Sequence, residues 1–359
     1  MKLKHIAPIS LVGLTLVLAA LIFSLPTENV TADAAANENT LIKNVRLVQP
    51  SGALGDSVSL LLRDGLIHRI TPVEDASDLP EARIIDGRGL TVLPGLIDSH
   101  THSYGSALTD AARFGVTAVL DMFTDPRGLA DTRRARDDLT QTIRADLYSA
   151  GMLATAAGGH GSQFGVPIET LSQPDAAAAW VAARQAEGSD YIKLVYIPGN
   201  DNLPSLDEAT ARAVIDAAHA AGLLALAHIS TFAAAEVMVD AGIDGLVHIF
   251  ADREISDALT AKLKANGVFV IPTLAVIAGI DGDEGAATLA ARNAEFLSPA
   301  QKQSVAVSFS VPTEDFSLDI ALRNTTRLFA AGVPILAGAD APNPGTAHGL
   351  SLHLSLIHI

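Results

Sequence analysis

Eight short runs rich in Val, Ile and Leu recur along this chain, with Ala-rich stretches of helical period between most of them. An earlier block of alternating residues is broken by Gly, Asp and Pro. Together these patterns predict an α/β fold: a (β/α)8 TIM barrel preceded by a small N-terminal β-sandwich part. The 359 residues, 49% of them hydrophobic and 18% charged, suffice for one large domain or a barrel with a small companion.

Residues 1–34 read as a targeting segment with its linker. Lys2 and Lys4 precede an uncharged stretch from Ile6 to Leu25, then Pro26, and Ala32-Asp33-Ala34 offers a small-x-small cleavage site. The expectation is export to the periplasm or the outside, with an uncleaved, outward-facing membrane anchor as the alternative. The polar run over 27–40 lacks apolar periodicity and reads as a linker. Residues 41–92 hold the alternating runs IKNVRLV, SVSLLLRDGLIHRI and ARIIDGRGLTVL, expected as strands of a partial β-sandwich.

The barrel is expected over 93–353. Its strands are GLIDSH near 95–100, GVTAVLDM at 115–122, DLYSAGML at 146–153, YIKLVY at 191–196, LLALAHI at 223–229, GLVHIF at 245–250, GVFVIPTL at 267–274 and PILAGAD at 334–340. Helical patterns such as LDEATARAVIDAAHAAG at 206–222 and FAAAEVMVDAG at 232–242 lie between them and end in Gly, as helix C-termini prefer. A barrel closes with a helix after its eighth strand, and little chain follows PILAGAD. The sequence therefore reads as truncated before the final barrel helix and any C-terminal strands. The terminal LSLIHI resembles an in-frame translation of a sequencing-library adapter, so 354–359 is read as a non-native tail and His358 is given no role.

Net charge is −16, from 40 acidic and 24 basic residues, and so acidic a surface repels nucleic acid and anionic lipid. Membrane contact is expected only through the N-terminal segment, and the sequence carries no indication of oligomeric state. There is no cysteine, which excludes disulfide and thiolate chemistry and leaves nitrogen and oxygen as the donors for any metal.

Catalytic groups in such barrels stand at the C-terminal ends of strands. Those ends supply His100 and His102, then Lys193, His228, His248 and Asp340. Residues two apart on a strand share a face, so both imidazoles of the first pair reach one point. A His pair alone is a weak signal; its convergence with single His residues closing two later strands is a strong one. His160, in GGHGSQFG, sits where glycines let a loop approach a ligand closely, and Tyr196, three residues after Lys193, is a candidate for polarising a substrate carbonyl. His348, in a loop just after Asp340, is weighed below those two. His219 reads as an ordinary helix residue, and His5 and His68 lie outside the barrel.

VLPGLIDSHTH, with its paired His ending the first barrel strand, resembles the signature of the amidohydrolase superfamily. Lys193 in YIKLVY, His228 in LALAHIS, His248 in LVHIF and Asp340 in ILAGAD match that superfamily's later strand-end ligands. The likeness covers nearly everything from Leu41 to Leu352 and is greatest to imidazolonepropionase-like amidohydrolases, a subgroup that includes exported dipeptidases and prolidases. It implies two divalent ions, with zinc the leading choice. His100, His102 and Asp340 would hold the more buried ion and His228 and His248 the second. Lys193 would be carboxylated by carbon dioxide and bridge both. A bare ammonium cannot ligate a cation, but a desolvated lysine loses its proton readily and its amine can add carbon dioxide. The implied reaction is hydrolysis of an amide C–N bond, in a dipeptide or N-acyl amino acid, by a metal-bridging hydroxide, with Asp340 as the catalytic proton carrier. Phosphotriester, lactone or imidazolone-ring hydrolysis on the same site is the alternative chemistry, and a non-catalytic surface binding protein the alternative class.

Overall fold

A computed structural model describes residues 39–73, 82–141, 143–200, 202–283, 285–309 and 316–358. The expected export segment, 1–34, lies outside the described residues.

The N-terminal strands are β1 (Thr40–Val48), β2 (Leu54–Arg63), β3 (Leu66–Pro72), β4 (Arg83–Asp86) and β5 (Thr91–Val92). They form one sheet of order β3-β2-β1-β4, with β5 also on β1. Between β2 and β3 the turn is Asp64-Gly65, both at positive φ (51° and 75°), the backbone form that matches the twist of a two-residue hairpin. Among the described residues these strands make one sheet, and the second layer that the sandwich predicted for 41–92 needs is not seen. Leu41, Val45, Leu60 and Leu61 are buried, whereas Leu66, Ile67, Ile70 and Ile84 are exposed.

Two parallel sheets follow. One has the order β6-β7-β8, from β6 (Leu96–Thr101), β7 (Val116–Asp121) and β8 (Asp146–Ser149). The other has the order β12-β11-β10-β9, from β9 (Ile192–Val195), β10 (Ala225–His228), β11 (Gly245–Val247) and β12 (Phe269–Ile271). Backbone hydrogen bonds join their edges. Ala154 pairs with Leu194, through Ala154 N–H to the Lys193 carbonyl at 2.8 Å and Val195 N–H to the Ala154 carbonyl at 2.9 Å.

The expected eighth strand, PILAGAD, differs from the prediction: it pairs at isolated points rather than along a ladder. Ile335 bridges to Val270 on one side, and Ala341 to Thr101 on the other. Its backbone runs too close to β6 to carry side chains at every step. A Cβ on Gly338 would stand 2.9 Å from the His100 Cβ and 2.6 Å from Ile271 Cγ2, so only glycine fits. The buried Asp98 side chain adds a tie, its Oδ1 accepting from His100 N–H at 3.2 Å and Ala339 N–H at 3.0 Å.

Helices pack outside these strands: α1 (Ala107–Arg113), α2 (Leu129–Arg136), α3 (Ala177–Glu187), α4 (Glu208–Ala220), α5 (Phe232–Asp240), α6 (Asp257–Asn266), α7 (Leu274–Ile280), α8 (Ala286–Ala290), α9 (Pro299–Val305), α10 (Leu318–Ala331) and α11 (Leu350–His358). Helix α4 shows why these stretches are helical. Asp207 caps it, accepting from Thr210 N–H at 2.7 Å, and Ala211, Val214, Ile215 and Ala218 form the buried stripe of period 3.6. That stripe meets Trp180 of α3 and the outward side chains Ile192 and Leu194 of β9 in the main core.

The prediction that no helix follows the PILAGAD segment is corrected by α11. Its sequence, LSLHLSLIH, alternates Leu with other residues, so packing and not local pattern accounts for the helix. Leu352 packs with Val116, Val119 and Leu147, and Leu350 with Phe114 and Leu297, so the segment has a core to fold against.

Candidate metal centre

The ends of the parallel strands deliver the charged and imidazole side chains. On β6 the alternation of the pleat carries Asp98, His100 and His102 to one face, and on β9 it turns Lys193 away from Ile192 and Leu194, which belong to the helix-facing core. His228 closes β10. His248 directly follows β11 and is held at φ 71°, and Asp340 is held at φ 57°. Thr273, two residues past β12, lies at φ 52°. A non-glycine residue in this left-handed region costs about 1–2 kcal/mol, and three such residues gather at this one end of the sheets. The surrounding packing aims these side chains at the cost of backbone comfort.

His100 is fully buried, and neither of its ring nitrogens has a hydrogen-bond partner. Its Nε2 nevertheless lies 3.1 Å from Asp340 Oδ1, itself an unpartnered buried atom. His102 Nε2 also lies 3.1 Å from that oxygen. Potential ligand atoms of His100, His248 and Asp340 all fall within 4.8 Å of one another. The His248 and His228 rings meet edge to face at 4.6 Å, with His248 Nε2 and His228 Nδ1 3.1 Å apart. Buried lone pairs that converge without donors between them suit a divalent cation, which satisfies several acceptors at once. The residues present therefore fit the metal that the sequence implied.

Burial sets the protonation of the group. Desolvation pushes His100 down to about 3 and His160 down to about 4, and drives His228 and His248 well below the usual imidazole range. All four imidazoles are neutral at pH 7, the form that ligates metal. Burial alone would raise the Asp340 carboxyl; the surrounding imidazoles, His100 foremost, outweigh it and hold Asp340 well below the usual carboxylate range. Desolvation lowers Lys193 to about 8, against the pull of Asp340 and Asp121. Lys193 is buried, and its charge is felt at His100, His160, His228 and His248.

Five of the six candidate ligands are joined by these contacts, Lys193 lies within electrostatic reach of them, and His160 joins, its ring stacked on His228 at 4.7 Å. Gly161 N–H donates to Gln163 Oε1, so the Gln163 amide nitrogen faces His160 Nδ1, at 3.2 Å. The neutral ring is thereby fixed with its proton on Nε2. Tyr196 is not brought to the cluster. It packs in the helix-facing core, where burial raises its phenol and Glu208 and Asp207, at the start of α4, add to the rise. An odd offset of three from Lys193 puts it on the opposite face of the strand. His219 pairs with Asp244 at 2.8 Å on the surface, as an ordinary helix residue does.

Two further buried residues neighbour the cluster: Asp121, not singled out in the sequence, and His348, weighed there below His160 and Tyr196. Asp121 ends β7 and accepts from Ser103 N–H, from Phe123 N–H at 3.1 Å and from Ser149 Oγ at 2.9 Å, and its charge bears on both His102 and Lys193. It stands at a strand end like the six ligands, so the rule that found them also reaches it. His348 is buried with both ring nitrogens unpartnered, beside His102.

No family model matches the chain. An uncharacterised protein of Mycobacterium tuberculosis is 29% identical over 271 residues, 70% of this chain, which spans 64% of that relative's length. A dihydroorotase of Streptococcus pneumoniae is 35% identical over 115 residues, 31% of this chain and 26% of its own. Among solved structures, a Xaa-Pro dipeptidase with methionine bound in its active site superposes with a TM-score of 0.65 at 19% identity, covering 89% of this chain and 83% of that one. Dihydroorotases are amidohydrolases, and the structural neighbours include prolidases and amidohydrolases, so the resemblance drawn from VLPGLIDSHTH holds at the level of the fold.

Proposed function

We propose that this chain is a metal-dependent hydrolase that cleaves amide C–N bonds in a dipeptide or N-acyl amino acid, built on parallel sheets closed into a (β/α)8 barrel. The backbone ties of Ala154 to Leu194, Ile335 to Val270 and Ala341 to Thr101 support closure. One observation carries the function: His100, fully buried, brings its Nε2 to an Asp340 oxygen that His102 also faces, beside the joined imidazoles of His248 and His228. A binding module or a structural barrel gains nothing from burying His100 and Asp340 with polar atoms left unpartnered.

In this reading His100, His102 and Asp340 hold one divalent ion and His228 and His248 the other. Lys193, neutral above about pH 8 and already desolvated, would add carbon dioxide with release of a proton and so become a carbamate that supplies oxygen donors to the ions. The nitrogen and oxygen donors favour zinc. When bound, the pair of ions supplies Lewis acidity and brings the ionisation of water toward neutral pH. Asp340, kept ionised by its imidazole neighbours, takes the proton of the attacking water and returns it to the leaving nitrogen as the C–N bond breaks. His160, with its proton on Nε2, is a neutral donor for a substrate oxygen. The Xaa-Pro dipeptidase among the structural neighbours supports a dipeptide substrate, and residues 1–34 support an exported enzyme. The test is metal analysis of the purified chain together with a screen of dipeptides and N-acyl amino acids. Close to two ions per chain and turnover of one such class are expected. One ion, or no hydrolysis by the metal-loaded chain, would overturn the reading.

A further inference from the structure

We infer that Thr273 is a positioning residue that fixes the tautomer of His248, and so decides whether that imidazole can serve as a ligand. The argument runs along one chain of hydrogen bonds. The Thr273 hydroxyl lies 2.8 Å from the Pro272 carbonyl, which only accepts, so its single proton is committed there. The same oxygen lies 2.6 Å from His248 Nδ1. With its own proton used, Thr273 Oγ1 can only accept, so His248 carries its proton on Nδ1. The other nitrogen, Nε2, is left bare, and it is the atom that faces His228 Nδ1 at 3.1 Å. A ligating histidine is held in this way when its second nitrogen donates to a fixed acceptor.

Two features show that this placement is specific. Thr273 precedes α7, where a threonine ordinarily caps the first turn with its hydroxyl, yet it makes no capping bond. It also occupies the left-handed region, at φ 52°, which a β-branched side chain adopts only when its surroundings insist. The residue is 1% exposed, so water cannot replace the hydroxyl. Its strain and its forgone cap both leave Oγ1 turned to His248.

The inference rests on the proposed ligand role of His248, and its test separates the two. Histidine-selective 15N NMR of the metal-free chain reads the tautomer directly. Wild type and Thr273→Ser should both show His248 with its proton on Nδ1; Thr273→Val should lose that preference. In metal titrations Thr273→Val should weaken the second ion about 10- to 100-fold and leave the first unchanged, and Thr273→Ser should restore it. Thr273→Gly removes the hydroxyl while relieving the backbone, so it should fold well and still lose the second ion. If the valine and glycine variants keep the Nδ1 tautomer, or keep the ratio of the two affinities and differ only in melting temperature, Thr273 is a structural residue and the inference is overturned. A wild-type chain that binds no second ion but shows the Nδ1 tautomer would sink the proposed function alone.

Discussion

Stripping metal from the protein and lowering the pH from 7 to 5 should cost it several kcal/mol of stability. In the unfolded chain a histidine takes up a proton near pH 6.5, while in the folded chain His100, His160 and His348 resist protonation down to about 3, 4 and 3 because they are desolvated. A group whose folded pKa lies below its unfolded value leaves the unfolded state binding more protons, so stability falls as pH drops below about 6.5. At pH 5 each of these three has lost about 2 kcal/mol. His228 and His248 act in the same direction. Asp98 opposes them: burial raises its carboxyl to about 7, so the folded state binds a proton that the unfolded state takes up only near 3.8. That returns about 2 kcal/mol over the same interval, and the buried Asp121 carboxyl, raised by desolvation, acts the same way; the net loss is about 4 kcal/mol before Asp121, His228 and His248 are counted. Against a typical total of roughly 5–15 kcal/mol this is a large fraction. Urea unfolding of the chelated, full-length chain at pH 7, 6 and 5, followed by circular dichroism, measures it directly. A midpoint that stays level or rises toward pH 5 would refute the picture of several neutral, desolvated imidazoles.

Further outcomes follow from the same geometry. Lys193→Ala should lose bound metal and activity together, with partial rescue by short carboxylates such as formate; full activity without rescue would remove Lys193 from the centre. Asp340→Asn should lower kcat by about 100-fold or more while the melting temperature shifts little, as expected for a group that moves a proton rather than fills space. Tyr196→Phe should leave kcat/KM within about threefold of wild type, because the phenol faces α4 and not the imidazoles; a large loss of kcat would put Tyr196 back in the site.

The site was legible in the sequence wherever a residue type and a strand end coincided, as with the His100–His102 pair, Lys193, His228, His248 and Asp340. Alternation on β6 requires His100 and His102 to share a face, and the structure brings their Nε2 atoms to the same oxygen at 3.1 Å each. The same rule of parity, applied to Tyr196, places it on the opposite face from Lys193, in agreement with its packing in the helix-facing core. The eighth strand was legible as an apolar run but not as an interrupted one. Its irregularity comes from a contact between chains of the fold, Gly338 against His100 and Ile271, which no local pattern encodes. Helix α11 was not legible because Leu alternates in LSLHLSLIH at the period of a strand; what holds the segment is the burial of Leu350 and Leu352 against the rest of the fold.

Thr273 marks a different boundary. Within GVFVIPTL its hydroxyl reads as a strand-end or helix-capping group, and nothing in the residue order gives the positive φ that turns it toward His248 instead. Composition and spacing deliver the six candidate ligands to one end of the sheets. The backbone conformations of His248, Thr273 and Asp340 decide which atom of each side chain faces inward, and that choice separates a ligand nitrogen from a protonated one. A sequence that kept all six ligands but replaced Thr273 by valine would carry the same motifs, and on this argument it would bind its second ion poorly.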